Sequence, residues 1–156
     1  LWHQAGARNI AAAQRYYQDA NIEARVEPFI DDMAEAYAWA DLVLCRAGAL
    51  TISELAAAGV ASILVPYPHA VDDHQTHNAA YLVDHGAALL VAQTQLTPEY
   101  LSGLLAEMSG SHKAATDQAS GHMRERLLRM AQAARQLAKP DAAQQVATLC
   151  IEAAHA

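Results

Sequence analysis

Four short apolar runs constrain this chain most: ARVEPF from Ala24, DLVLC from Asp41, SILVP from Ser62 and ALLVA from Ala88. All are of strand length, and taken together they are dominated by Val, Ile and Leu. Their apolar residues run on without strict alternation, the pattern of strands covered on both faces, which is how parallel sheets are built. Segments of helical period separate them. Asp32 with Glu35 predicts a capping box opening one helix, and Thr97-Pro98 predicts a cap followed by proline in the first turn of another. Gly59, Gly86 and Gly110 stand where helices should stop. Strand and helix in alternation imply βαβ units, hence an α/β fold with a Rossmann-like open parallel sheet.

After Ala92 the pattern is helical only. Helices are expected over Thr97 to Met108, from about Met123 to Ala138, and over Asp141 to Ala154. Lys139-Pro140 separates the last two, and Asp141 with Gln144 repeats the capping-box spacing. The polar stretch 109–121 reads as a flexible loop, leaving 122–156 as C-terminal helices. The whole, 1–156, reads as a single domain that begins in mid-fold, because WHQ looks like a strand with nothing before it.

Composition narrows the class. Of 156 residues, 53% are apolar and 17% charged, too apolar for a disordered chain, and no run approaches the ~18 apolar residues of a membrane span. A formal charge of -7, with ten Lys and Arg in all, argues against a nucleic-acid partner. Cys45 and Cys150 form no CxxC pair and read as reduced thiols. LWHQAGARN has no signal-peptide pattern.

In an open parallel sheet, ligands bind beyond the carboxyl ends of the strands, where turns enter helices. CRAGALTISE, from Cys45, is such a place. Gly48 can take backbone angles closed to other residues and lets main chain approach a ligand. The helix that follows offers unpaired N–H groups and a partial positive charge, suited to a diphosphate. Thr51 can cap that helix or donate its hydroxyl to a phosphate. Glu54, about one turn in, suits the vicinal hydroxyls of a ribose, but Thr51-Ile52-Ser53-Glu54 also has capping-box spacing, and the two roles stay open.

A second cluster, PYPHAVDDHQTHNA over 66–79, follows the strand SILVP. Asp72, Asp73, His74 and His77 raise the question of a metal, but no HxxxH or HExxH spacing is present and aspartates are ordinary caps at a helix start. No metal and no cofactor are expected. Gln75 with His74 suits a sugar, whose hydroxyls call for mixed donors and acceptors.

FIDDMAEAYAWADLVLCRAGALTISELAAAG followed by VPYPHAVDDHQTHNA resembles the C-terminal, donor-binding domain of the MurG family. The resemblance covers most of the chain, from WHQAG to the last helices. It implies the C-terminal half of a two-domain GT-B glycosyltransferase. Members move N-acetylglucosamine from UDP-N-acetylglucosamine to undecaprenyl-diphosphate-linked N-acetylmuramoyl-pentapeptide, with inversion and without a metal, turning lipid I into lipid II for peptidoglycan.

Residue by residue, the resemblance gives Ile30 the uracil, read through its main chain, with Phe29 and Met33 packed nearby. It gives Gly48, Ala49, Leu50 and Thr51 the diphosphate, within a binding stretch that continues through Ile52 and Ser53, and Glu54 the ribose. Gln75, assisted by His74, takes the sugar hydroxyls, and Asn78 supports that loop. Arg46 either braces the turn, adds positive potential near the diphosphate, or forms a structural salt bridge. Ala47 stands where the family often has serine, and Ala61 where it often has proline.

The family's opening glycine-rich loop and its N-terminal domain, which binds the lipid acceptor and supplies the candidate base, are not in the sequence. No catalytic residue is therefore assigned, and the chain by itself is expected not to complete the reaction. The expected location of the intact enzyme is the cytoplasmic face of the bacterial inner membrane, held peripherally. Other readings are the sugar-nucleotide-binding subunit of a split two-chain glycosyltransferase, another GT-B enzyme such as a UDP-N-acetylglucosamine 2-epimerase, and a helical scaffold with a vestigial pocket.

Overall fold

The computed structural model of the chain describes residues 1–68, 73–108 and 117–154. By their contacts they fall into two compact units, Leu1–Trp39 and Ala40–Ala156.

In the first unit, β1 (Trp2–Gln4) and β2 (Arg25–Glu27) pair in parallel, with α1 (Ile10–Asp19) between them in sequence and α2 (Met33–Trp39) after them. One aromatic assembly ties the unit together. The Trp2 ring meets Trp39 edge to face at 5.9 Å between centroids, and the Arg25 guanidinium lies 3.9 Å above the Trp2 ring. Glu27 accepts from both Arg25 and the Trp2 indole, at 2.8 and 3.2 Å. The Arg25 bond, with smaller help from Trp2, holds the Glu27 carboxyl below its ordinary range. The predicted cap of α2 is present: Asp32 Oδ1 accepts from the Glu35 N–H at 2.8 Å.

The second unit is built on a parallel sheet of β3 (Leu42–Cys45), β4 (Ala61–Leu64) and β5 (Ala88–Leu90), with β4 in the middle. Every residue of β4 is buried, as its unbroken apolar run predicts. Side chains alternate between the faces of a strand. Ala61, Ile63 and Val65 therefore share one face, and they form a core with Val91, Met108 and Met130. Met108 comes from α5 (Pro98–Met108) and Met130 from α6 (Asp117–Gln136). Ser62 and Leu64 point to the opposite face. Crossovers α3 (Ala49–Ala58) and α4 (His74–Val83) bury Leu55 and Leu82 completely. The last helix is α7 (Ala142–Ala154).

Helix ends follow local chemistry. Gly59 ends α3 with φ 68°, and its N–H returns to the Leu55 carbonyl at 2.9 Å. A β-carbon there would sit 3.1 Å from the Arg135 β-carbon on α6, so both conformation and space call for glycine. Thr97 caps α5, its hydroxyl accepting from the Tyr100 N–H at 3.1 Å. Asp141 accepts the first main-chain bond of α7 from Gln145.

One boundary differs. Helix α6 begins at Asp117, inside the stretch read as a flexible loop over 109–121. An aspartate at a helix start favours the dipole, and the polar residues after it suit a solvated helix as well as a loop. Gly110 and the rest of 109–116 lie outside the described residues.

The Ser62 hydroxyl is buried and, among the described residues, has no hydrogen-bond partner. An unmet buried hydroxyl costs about 1–3 kcal/mol, so Ser62→Ala should leave stability unchanged or raise it by about 1 kcal/mol. Ile63→Ala, one residue on, should lose about 2–5 kcal/mol by opening a cavity in the core. Urea unfolding of both variants checks the pair.

Candidate functional site

Sequence dictates the geometry where β3 gives way to α3. The chain leaves the sheet at Cys45, and Ala47 is fully buried. Gly48 is the N-cap of α3, with φ -65° and ψ 148°. This corrects the expectation that Gly48 takes angles closed to other residues: its backbone is extended and open to any of them. Space within the chain does not require glycine either, because an added β-carbon would meet only the Thr51 hydroxyl, at 3.7 Å. The lack of a side chain at Gly48 leaves a clear approach to the helix end.

The first main-chain bond of α3 runs from the Ile52 N–H to the Gly48 carbonyl at 3.0 Å. The N–H groups of Ala49, Leu50 and Thr51 precede it and have no acceptor within the helix. They form the positive end of a ten-residue helix. Leu50 is 79% exposed and does not cover them with core packing.

The numbering from Gly48 bears on Glu54. A capping box needs its Ser or Thr at the N-cap and its acid three residues on. Here Thr51 is already the third helical residue and Glu54 the sixth, and the N-cap makes no side-chain bond. The Thr51-Glu54 pair is thus one turn too deep to act as a capping box. Glu54 is exposed, and its charge acts on the Cys45 thiol at the end of β3. Ser53 bonds back to the Ala49 carbonyl at 3.1 Å, and Ile52 is buried, so neither presents its side chain as an open binding group.

The loop after β4 meets the same turn. Asn78 on α4 donates to the Ala47 carbonyl at 3.1 Å, and Gln75 accepts from the Tyr67 N–H at 2.9 Å. Arg46 donates through Nη1 to the carbonyls of Val65 and Pro66 at 3.1 and 3.2 Å. Of the roles open to it, bracing is the one its bonds serve; the salt bridges among the described residues do not include it.

His74 is the first residue of α4 and exposed. Asp73 caps that helix with φ 53°, accepts from the Thr76 hydroxyl at 2.6 Å, and through its carbonyl bonds the His77 ring. Among the described residues no three His, Cys, Asp or Glu side chains assemble as metal ligands. Asp72 lies outside them.

In the first unit a cleft of about 400 Å³ is lined by Trp2, Arg25, Glu27, Phe29, Ile30 and Glu35, among others. Phe29 is 63% exposed, Ile30 is buried and Met33 half-buried. The Ile30 N–H already donates to Gln4 Oε1 at 2.9 Å, so a base reading that amide has to share or displace the bond. Nothing in the spacing of Gln4 and Ile30 announces this. In Pro66-Tyr67-Pro68 only the tyrosine has an N–H to give, and Gln75 takes it.

The glycosyltransferase family 28 C-terminal domain matches residues 1–146. The chain belongs to this family. The resemblance read from its residues is borne out, and the parallel sheets with their helices have the Rossmann-like α/β fold of the C-terminal domain of GT-B glycosyltransferases. Among its relatives is the UDP-N-acetylglucosamine--N-acetylmuramyl-(pentapeptide) pyrophosphoryl-undecaprenol N-acetylglucosamine transferase of Marinobacter nauticus, 57% identical over 153 residues, 98% of this chain and 39% of that protein. The enzyme of the same name from Pseudomonas putida is 51% identical over 99% of this chain and 40% of its own length. A crystal structure of Acinetobacter baumannii MurG superposes with a TM-score of 0.81 at 47% identity, over 95% of this chain and 41% of that one. The family 28 domain described here thus spans about two fifths of the length of these relatives.

Burial, with a smaller contribution from the Glu54 charge, raises the Cys45 thiol from 9.0 to about 11. The folded protein keeps this proton to about pH 11 while the unfolded chain releases it near 9.0, so stability is intact below the lower value and falls as pH rises through the upper one. Alkylation at pH 8 should modify exposed Cys150 and spare Cys45. Glu54→Gln should shift the alkylation profile of Cys45 to lower pH; an unmoved profile would mean that the carboxylate faces elsewhere.

Proposed function

We propose that this chain binds the UDP-N-acetylglucosamine donor of an inverting N-acetylglucosaminyltransferase that acts on undecaprenyl-diphosphate-linked N-acetylmuramoyl-pentapeptide in peptidoglycan synthesis. The observation that carries the reading is the start of α3. Three consecutive main-chain N–H groups lack acceptors in the helix, beside a glycine that neither backbone angles nor packing requires. That combination suits a pyrophosphate, whose oxygens accept from such groups and whose charge the helix dipole favours.

In this reading Gly48, Ala49, Leu50 and Thr51 hold the diphosphate and Glu54 accepts from the ribose hydroxyls. Gln75, with His74, meets the sugar, and Asn78 fastens the loop that carries them. In the first unit, Phe29, Ile30 and Met33 keep the uracil. As the acceptor hydroxyl attacks the anomeric carbon, the bond to the β-phosphate breaks and negative charge grows on UDP. N–H groups fixed at the helix end favour that charge without reorganising, which is the electrostatic part of catalysis this chain supplies.

The acceptor and its activating base belong, in the same reading, to the part of the relatives' length that the chain does not span. Contact with the membrane surface is likewise proposed as peripheral and cytoplasmic. No helix among the described residues is long and apolar enough to cross a membrane.

Calorimetric titration with UDP tests the reading. Glu54→Ala should weaken UDP by about 1.5–3 kcal/mol, the worth of hydrogen bonds to a charged group, with the melting temperature unchanged. Gly48→Val should abolish binding while the fold persists, because a branched side chain fills the approach to the N–H groups. A protein that takes up no UDP, or a Glu54→Ala variant of undiminished affinity, would contradict the assignment.

A further inference from the structure

Arg46 adjoins the turn assigned to the diphosphate, yet its guanidinium is engaged with the neighbouring loop. Nη1 reaches two successive carbonyls, Val65 at 3.1 Å and Pro66 at 3.2 Å, and the guanidinium carbon lies 5.6 Å from the centre of the Tyr67 ring. One cation thus holds three consecutive residues by different means. Pro66 and Pro68 have no N–H, so Tyr67 carries the only main-chain donor of residues 66–68, and it goes to Gln75 Oε1 at 2.9 Å.

An N–H can be accepted only by the oxygen of a carboxamide. The Gln75 amide is therefore oriented with its oxygen toward the loop, and its NH2 keeps both protons. Among the described residues nothing accepts them. From the other side, Asn78 Nδ2 donates to the carbonyl of Ala47, next to Arg46, at 3.1 Å. The bonds close a circuit from Arg46 through the loop and α4 back to its own neighbour.

We propose that Arg46 is a positioning residue for the sugar end of the donor: by holding the Val65–Tyr67 backbone it orients Gln75, whose NH2 then donates to acceptor oxygens of the sugar. The inference rests on the donor-binding reading and deepens it, since it assigns the cation beside the diphosphate turn to the sugar. A guanidinium that acted through its field on the diphosphate would affect UDP and UDP-N-acetylglucosamine alike, and salt would screen it.

The test compares the affinities of the protein for UDP and for UDP-N-acetylglucosamine at low and high salt. Arg46→Met should cost UDP-N-acetylglucosamine roughly tenfold in affinity, the worth of about one hydrogen bond, and change UDP by less than about twofold. Gln75→Met, which removes the amide without adding charge, should give the same selective loss. The double variant should be no worse than Gln75→Met alone, because the arginine acts through that amide.

Equal losses for both ligands that fade with salt would overturn the proposal, as would additive losses in the double variant. So would a Gln75→Met protein that keeps the unsubstituted ratio of affinities, a result that does not depend on Arg46→Met folding. An unsubstituted protein that binds neither nucleotide overturns the donor-binding reading itself and is distinguishable from all of these.

Discussion

Burial of β4 on both faces is the constraint from which the second unit follows. A strand with no solvated side must pair along both edges and be covered above and below, and β3, β5 and the helices between and after them meet that demand. Because all three strands run the same way, their carboxyl ends fall on one side of the sheet. Chain leaving β3 and β4 there has to turn into α3 and α4, and two turns brought side by side leave helix ends and loop amides facing a common space. The candidate site is a by-product of that topology rather than an addition to it.

Much of this was legible in the residues, and for reasons that can be named. Unbroken apolar runs marked β3, β4 and β5, most clearly β4, because a doubly covered strand excludes polar side chains whatever its partners are; β2, with Arg25 and Glu27 beside Val26, carries a weaker signal. Asp32 and Thr97 marked helix starts, since a side-chain oxygen is the cheapest acceptor for an unpaired first-turn N–H. Gly59 marked a helix end because glycine takes the left-handed angles that close a helix; its crowding by Arg135 is visible only in the structure. The start of α6 was not legible, because Asp117 and the small polar residues after it suit a helix and a loop equally.

The site was half legible. The glycine turn and its acid could be located, but spacing alone left Glu54 between a cap and a ligand group. Ruling out the cap needs the register of the helix, and the N-cap at Gly48, three residues before Thr51, supplies it. The bonds of Arg46 were beyond sequence reasoning, since a guanidinium can reach carboxylates, carbonyls or rings in any direction and nothing in its neighbours selects among them. The engagement of the Ile30 amide by Gln4 was hidden for a similar reason, as it joins residues far apart in the chain.

The paired prolines around Tyr67 have a thermodynamic corollary. Pyrrolidine rings restrict the loop before any guest arrives, and Pro68 also keeps the preceding tyrosine extended. Ordering entropy that a glycine-rich loop would surrender at the moment of encounter is here surrendered during folding. The backbone of residues 66–68 therefore meets any encounter already ordered, and the freedom left to lose there lies in side-chain torsions.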